Sequence, residues 1–591
     1  MTSPTVFRPT VSLAVLACAA LLVTAVLASA AALPQPASAA GVTLYVDGKH
    51  GHDGNNGRSW GEAYKTINHA ARQVPRGTAA AGWTIVVRGY ADYIYRERPV
   101  PGSYARAGTA QSPLVFTAEG WSPGATNYVK PIVSGALLAP KTGARWHADQ
   151  SAGVWWTPWS SAPARFDRSK PYTAAVFQGR TTWLWQHASL ADLRGKAGRG
   201  DGGYWWDAGS DRLYVATRNG VDPSSVTIDV PTFVGFYFTG TAGARHIVVR
   251  GFVVQHASMG IQFHLGADHN TAVDNDAVAN NPMGFGTSGR ETSSGFDPAV
   301  GNVFLRNTAT YNTQQGFKID AGSQDTVICH NSVQRNAAQG IKVLGPMDGS
   351  DPRATTGTEV CHNLLAHQST QRIGSARQDE RPNGLTLADG ARGTYVHHNT
   401  IRDNVVGIQV NQGRSGSPIA NTVVKRNQVH TNRIGLSLRD GVDAARMGSG
   451  SFELSYNLYW DNGVGIRIFP GSTNKTFKHE TIYANREDGV TVGCFCGSLA
   501  RASAVISESL VTHNAGHGVA VVNSGVVRLR YSGLASNGLG PTSGQVDRLA
   551  VNTRPAGYLS RDEASADFLR IGRGSFQYTA GPENGPIGAR Y

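Results

Sequence analysis

The chain has 591 residues, too many for one ordinary globular core, so it holds several modules or one elongated repeat. Only 16% of residues are charged and 71 are glycine, which argues against a helical protein and for a chain rich in strands and turns. The formal net charge of +13 favours an anionic partner. Its basic residues are spread along the chain without a recognised binding motif, so nucleic acid is set aside in favour of an acidic polymer or a cell-wall surface.

In chain order, the first segment reads as an export leader. Arg8 is a lone cation, an apolar run follows from Val11 to about Leu33, and Ala37-Ser38-Ala39 supplies a small-residue cleavage site. Residues 1–39 are therefore expected to be removed from a secreted, extracellular protein, with no stable membrane insertion afterwards, since no later stretch offers about 20 unbroken apolar residues. Residues 40–139 begin with VTLYVDGKHGHDGNNGRSWGEAYKTINHAA, which reads as a strand, a polar loop and a short helix from about Tyr64. WTIVVRG and PLVFTAEG follow as strands. Residues 140–230 break the pattern and read as an inserted β-rich module. Eight tryptophans fall there (Trp146, Trp155, Trp156, Trp159, Trp183, Trp185, Trp205 and Trp206), most of them expected in the module's core, with one or two left to stack on a sugar ring.

From about residue 245 to 540 one unit recurs: Asn, two to four residues, then Gly and alternating apolar residues, as in NTQQGFKI, NAAQGIKV, NRIGLSL and NGVGIRI. The repeated glycine falls at Gly260, Gly284, Gly316, Gly340, Gly384, Gly407, Gly435, Gly465, Gly489 and Gly518. Each unit holds short alternating strands and no stretch long enough for a helix, so it cannot bury its apolar side alone and must stack on its neighbours. The turn Asn and Gly are expected to supply unusual backbone angles, and stacked Asn amides to bond along the axis. The fold class is all-β, a right-handed parallel β-helix over residues 231–540, with residues 541–591 as a cover for its end.

These units resemble those of the secreted right-handed parallel β-helix proteins of the pectate-lyase-like superfamily, which includes polysaccharide lyases and β-helix glycosidases. The opening segment is similar to the cap of such enzymes, and GGYWWDAGSDRLYVATRNG resembles an insertion found in some of the glycosidases. The resemblance implies a sugar-binding groove on the outer face of one sheet.

In a strand alternate residues face outward. The residue two after each glycine gives one outward row: Gln262, Gly286, Lys318, Lys342, Thr386, Gln409, Ser437, Arg467, Thr491 and Ala520. Two positions on, a second row includes His264, Asp320, Asn411 and Arg439. Lys318 and Lys342 are one coil apart, and two ammonium groups about one strand spacing apart (~4.8 Å) repel, which favours a neutral amine able to act as a base. One lysine can then take the proton beside a uronate carboxylate while the other neutralises the carboxylate. The resemblance points to the same β-elimination, since a Lys or Arg is the base in lyases of that superfamily. Lys318, Lys342 and Asp320 are thus the candidate catalytic residues, with Gln262, His264, Asp297, Gln409, Asn411 and Arg439 as candidate substrate contacts. One alternative is a glycoside hydrolase pairing Asp320 with Asp297, Glu291, Asp379 or Glu380. Another is a glycan-binding solenoid without catalysis.

No cofactor is expected. Gln314, Gln315 and Lys318 stand where a calcium-dependent pectate lyase would carry acids, which argues against a calcium site of that kind. Cys329 and Cys361 occupy matching places in ICHN and VCHN, close enough for a disulfide between coils. His330, His362 and His398 also share a position, as a side-chain ladder more readily than a metal site. The expected partner is an acidic polysaccharide, bound by a monomer.

Overall fold

The computed structural model describes residues 41–589, apart from 346–354, 369–381, 412–418, 440–451, 494–500 and positions 103, 170–173, 198, 201, 294, 474 and 524. The leader, Asp379, Glu380, Cys494 and Cys496 lie outside the described residues. The chain winds as a right-handed parallel β-helix. Among the described residues its coils build three parallel sheets of 15, 12 and 12 strands, here sheets I, II and III in the order each coil visits them. One coil shows the plan: Val303–Leu305 in sheet I, Thr308–Thr310 in sheet II and Phe317–Ile319 in sheet III. No helix among the described residues is long and apolar enough to cross a membrane.

The inward residue of each short strand is apolar and fully buried, so the core is a stack of side chains running along the axis. Phenylalanines dominate the earlier coils, where Phe285 and Phe317 stack with ring centroids 4.6 Å apart. Ile, Leu and Val take over in later ones. Each such side chain contributes about 1.5–3 kcal/mol on burial, which no single coil can gather alone.

The turns give a finer rule than the repeat alone. At the corner between sheets I and II, and again between II and III, a residue with positive φ precedes the ladder amide. Examples are Arg306 before Asn307, His330 before Asn331 and Tyr311 before Asn312. The asparagine therefore does not supply the strained angle at these corners. Its side chain turns inward instead, where Asn307 Oδ1 accepts the backbone N–H and the amide of Asn275 at 3.0 and 3.1 Å. Asn275 Nδ2 also donates to the Val249 carbonyl at 2.9 Å. Repeated coil after coil, this satisfies the polar groups that each buried corner would otherwise orphan. The recurring glycine is likewise not left-handed. A Cβ on Gly407 would lie 2.6 Å from the Gly435 carbonyl oxygen of the next coil, so close approach is what demands glycine there.

Three elements outside the repeat decide which faces stay open. The helix Ile67–Gln73, capped by Thr66, packs on the first strands of sheet I and closes the N-terminal end. Ala136–Ala139 to Ile228–Pro231 form an eight-stranded, mostly antiparallel sheet that lies against the outside of sheet II. Trp183 anchors it, its Nε1 donating to the Tyr311 carbonyl at 2.6 Å. Asp229 adds a buried ion pair to Arg96 and lies 3.0 Å from His256 Nδ1. Trp159, Trp183, Trp185 and Trp205 are buried in or under this module, while Trp146, Trp155, Trp156 and Trp206 are half-buried. The tail differs from the expected end cover. Residues near 540–549 complete a last coil, and the chain then folds back along the outside of sheet II, setting Phe568 and Leu569 against Leu458 and Trp460.

Candidate functional site

With module and tail both occupying the outside of sheet II, the outer face of sheet III is where the two polar rows run. The register is continuous: Gln262 pairs with Gly286, Gly286 with Lys318, Lys318 with Lys342, and Lys342 with Thr386, Gln409, Ser437 and Arg467 in turn. Lys318 and Lys342 therefore stand side by side on adjacent strands. The second row holds as well, with Asn411 paired to Arg439.

Facing outward is not the same as being open to solvent. Gln262, Thr386, Gln409, Ser437 and Thr491 are each 7% exposed or less, whereas Lys318, Lys342 and Arg467 are half-buried. Gln262 and Gln409 thus do not line an open groove. Gln262 Oε1 is 2.9 Å from His264 Nε2, and Gln409 bonds the amide of Asn383. Both amides are spent within the sheet. The first row opens at the two lysines.

Around them the structure gathers a charged cluster. Lys318 Nζ is ion-paired to Asp320 two residues on. Burial alone would raise the Asp320 carboxyl, but the ammonium of Lys318 outweighs it and holds the acid ionised below its ordinary value. His264 sits two coils earlier in the same row as Asp320. Burial pushes its imidazole down to about 4, Lys318 and Arg165 adding to the shift and Asp320 opposing it. It is neutral at ordinary pH. Tyr237, whose ring lies 5.5 Å from that of His264, occupies the row one coil before Gln262. Burial raises its phenol, and the charges of Arg98 and Arg165 partly offset this.

Asp297 belongs to neither row: it lies on a hairpin of Arg290–Thr292 with Gly295–Asp297, its carboxylate beside Gly266 two residues after His264, and pairs with Arg290 at 3.1 Å. Arg439 and Arg467 flank the Phe469 ring at 5.5 and 5.1 Å, further along the helix. Cys329 and Cys361 are register partners in sheet I and form a disulfide with Cα atoms 4.6 Å apart. Sequence reasoning missed Tyr237, Arg98 and Arg165. Extending the row one coil upstream finds Tyr237. The two arginines come from the cap and the inserted module, which carry no period to follow.

Stacked coils, a glycine row and in-register amide ladders define the class: the chain is a right-handed parallel β-helix protein. Residues 381–530 match the family described as right handed beta helix region. Across most of its length the chain is similar to the solved structure of XylC in complex with xylose, at 12% identity and a TM-score of 0.54, covering 89% of this chain and 88% of that one. It is also similar to a GH136 lacto-N-biosidase from Eubacterium ramulus, at 10% identity and a TM-score of 0.43, covering 87% of this chain and 68% of that one. The periplasmic alginate epimerase AlgG shares 13% identity at a TM-score of 0.33, over 55% of this chain and 73% of that one. At 12% identity the likeness to XylC is one of fold. No curated protein matches the chain in sequence.

Proposed function

We propose that this protein is an extracellular carbohydrate-processing enzyme that cleaves an acidic polysaccharide by β-elimination on the outer face of sheet III. The observation that carries the reading is the in-register pair Lys318–Lys342, placed where the outward row opens. In this reading Lys318, set beside Asp320, draws in the uronate carboxylate and stabilises the charge that builds on it. Lys342 takes the proton from the adjacent carbon. The electrons left behind form a carbon–carbon double bond as the glycosidic oxygen departs, and a proton from solvent completes the new chain end. Preorganised cations at a developing negative charge are the largest single contribution available to such a step. The formal net charge of +13 and the nearby Arg98 and Arg165 suit an anionic polymer. The fold shared with a structure solved with xylose bound is consistent with a sugar substrate.

The ionised Asp320 favours a second reading, hydrolysis with Asp320 as one of two carboxylates. Incubation with polygalacturonate, alginate and glucuronoxylan separates the two. Elimination yields an unsaturated product absorbing near ~235 nm, hydrolysis yields reducing ends alone, and a binding solenoid yields neither. Lys342→Ala is expected to cut the absorbance rate by about 10²–10⁴-fold. Full activity in Lys342→Ala rejects the proposed base, and full activity in Lys318→Ala rejects the proposed carboxylate site.

A further inference from the structure

Away from the lysine row, at the corner between sheets I and II, four side chains from two successive coils converge. Cys361 pairs in register with His397, and Glu359 with Tyr395, so Glu359 and His397 share the outer face of sheet I. His362 and His398 follow at the corner, each with positive φ. His330, His362 and His398 stack face to face, with centroids 4.8 and 4.9 Å apart, and form the expected ladder. His397 does not belong to that ladder. Its ring stands nearly perpendicular to both neighbours, at 85° to His362 and 86° to His398.

The nitrogens decide what this corner can hold. His397 Nε2 lies 2.9 Å from Glu359 Oε1, so that nitrogen carries the proton and donates it to the carboxylate. His397 Nδ1 is then left with a lone pair, and it points at His398 Nδ1 only 2.8 Å away. A ring nitrogen fixed by a carboxylate on its far side is the arrangement that orients histidine ligands in metal sites. One ligand nitrogen from each of His362, His397 and His398 lies within 4.8 Å of the others. Nitrogens on one tetrahedral zinc ion stand about 3.3 Å apart, so the exposed His362 ring must swing out of its stack on His398 and turn its nitrogen toward the other two to complete the set.

We infer that His362, His397 and His398 form a three-imidazole site for a divalent transition metal of the zinc class, with Glu359 as the carboxylate that orients His397. Imidazole donors suit zinc, copper and nickel and not calcium or magnesium. Water would take the fourth position. On binding, His398 presents its Nδ1 lone pair by moving its proton to Nε2, so nothing is oxidised or reduced. Lys425 and Arg426, on the next rung, are the cations a bound ion must tolerate, and Glu359 supplies opposing charge. The site joins the coil of residues 359–362 to that of 395–398, next to the coils that the Cys329–Cys361 disulfide already links. Its role is therefore that of a second staple, separate from the lysine row.

The test uses the untagged full chain, stripped with chelator and kept free of reductant, titrated calorimetrically with Zn²⁺. One equivalent is expected to bind, with a rise in the unfolding midpoint. Glu359→Gln should weaken binding by about 10–100-fold, because the orienting carboxylate is gone but the ligands remain. His397→Ala and His398→Ala should abolish it, and His330→Ala, on the same ladder but outside the set, should leave it unchanged. Co²⁺ added to the unmutated protein should give the intense visible absorption of a four-coordinate site, a readout that needs no variant to fold. The inference is overturned if the unmutated chain takes up no more Zn²⁺ than the triple variant of His362, His397 and His398. It is equally overturned if His330→Ala weakens binding as much as His398→Ala.

Discussion

Glu480 continues a ladder of asparagines, with Asn457 on one side and Ser509 on the other, and its two carboxyl oxygens accept the backbone N–H and side-chain amide of Asn457 at 2.8 and 3.1 Å. The residue is fully buried, and burial pushes its carboxyl well above the ordinary value of 4.5, with the two Asn457 bonds opposing. A group raised in the folded state adds stability that is complete below the unfolded value and is lost as pH climbs through the folded one. Gln368 fills the matching place in the other ladder. Its Oε1 takes both donors of Asn336 at 3.0 and 3.2 Å, and its Nε2 donates to the Val333 carbonyl at 2.7 Å. Glu480→Gln should therefore raise stability at pH 8 by about 1–3 kcal/mol, with the gain shrinking toward pH 4. Denaturant titrations at the two pH values check this, and equal stability at pH 8 would refute it.

Gly435 backs onto the next coil, and a Cβ there would lie 2.5 Å from the Gly465 carbonyl oxygen. No side chain can yield in that contact, because both partners are backbone. Gly435→Ala is expected to destabilise by about 1–3 kcal/mol or to prevent folding. Gly195 is the contrasting case, since it lies inside the helix Leu190–Ala197 of the inserted module, and an added Cβ there would meet no heavy atom within 4 Å. Gly195→Ala should stabilise that module by about 1 kcal/mol through helix propensity. Thermal unfolding ranks the two variants on opposite sides of the parent chain. Wild-type behaviour of Gly435→Ala would remove close packing as the reason for the glycine row.

The features that repeat once per coil were legible because a coil has one place for each. The glycine row fixed the register, and with it the adjacency of Lys318 and Lys342 and of Cys329 and Cys361. Strand parity told which side Gln262 and Gln409 face, but not what bonds them, so their burial was beyond it. Arg98 and Arg165 reach the site from segments with no period. The tail's path along sheet II depends on apolar matching with Leu458 and Trp460, which no local pattern announces. The meeting of Glu359, His397 and His398 joins a sheet face to a corner, two positions that a row-by-row reading keeps apart.

His264 gives the opposite pH dependence to Glu480. Its imidazole falls from 6.5 to about 4 on folding, chiefly through burial. The unfolded chain binds more protons between those values, so the contribution is complete above 6.5 and is lost as pH falls toward 4. His264→Gln removes this titration while keeping a polar group beside Gln262. The unfolding midpoint of the parent chain should drop more steeply than that of His264→Gln as pH is lowered through this window. Parallel curves would mean that folding leaves the His264 imidazole titrating as it does in the unfolded chain.

Asp320 separates the two chemistries by how much its charge is needed. In elimination its part is to set Lys318 in place through their ion pair, so Asp320→Asn keeps the lysine and a hydrogen-bonding partner for it. A loss of about ten-fold or less in kcat is expected, with unsaturated product still formed. In hydrolysis Asp320 itself would move a proton or attack the sugar, and the same substitution would cost about 10²–10⁴-fold. Lys318→Ala gives the complementary result, since it leaves Asp320 with its burial uncompensated and pushes that carboxyl upward. Elimination should then fail while a hydrolase would shift its pH profile toward alkaline values. Rates of both variants on the same polymer, read by absorbance and by reducing ends together, decide between the readings. Loss of all activity in Asp320→Asn with full activity in Lys318→Ala would end the lyase proposal.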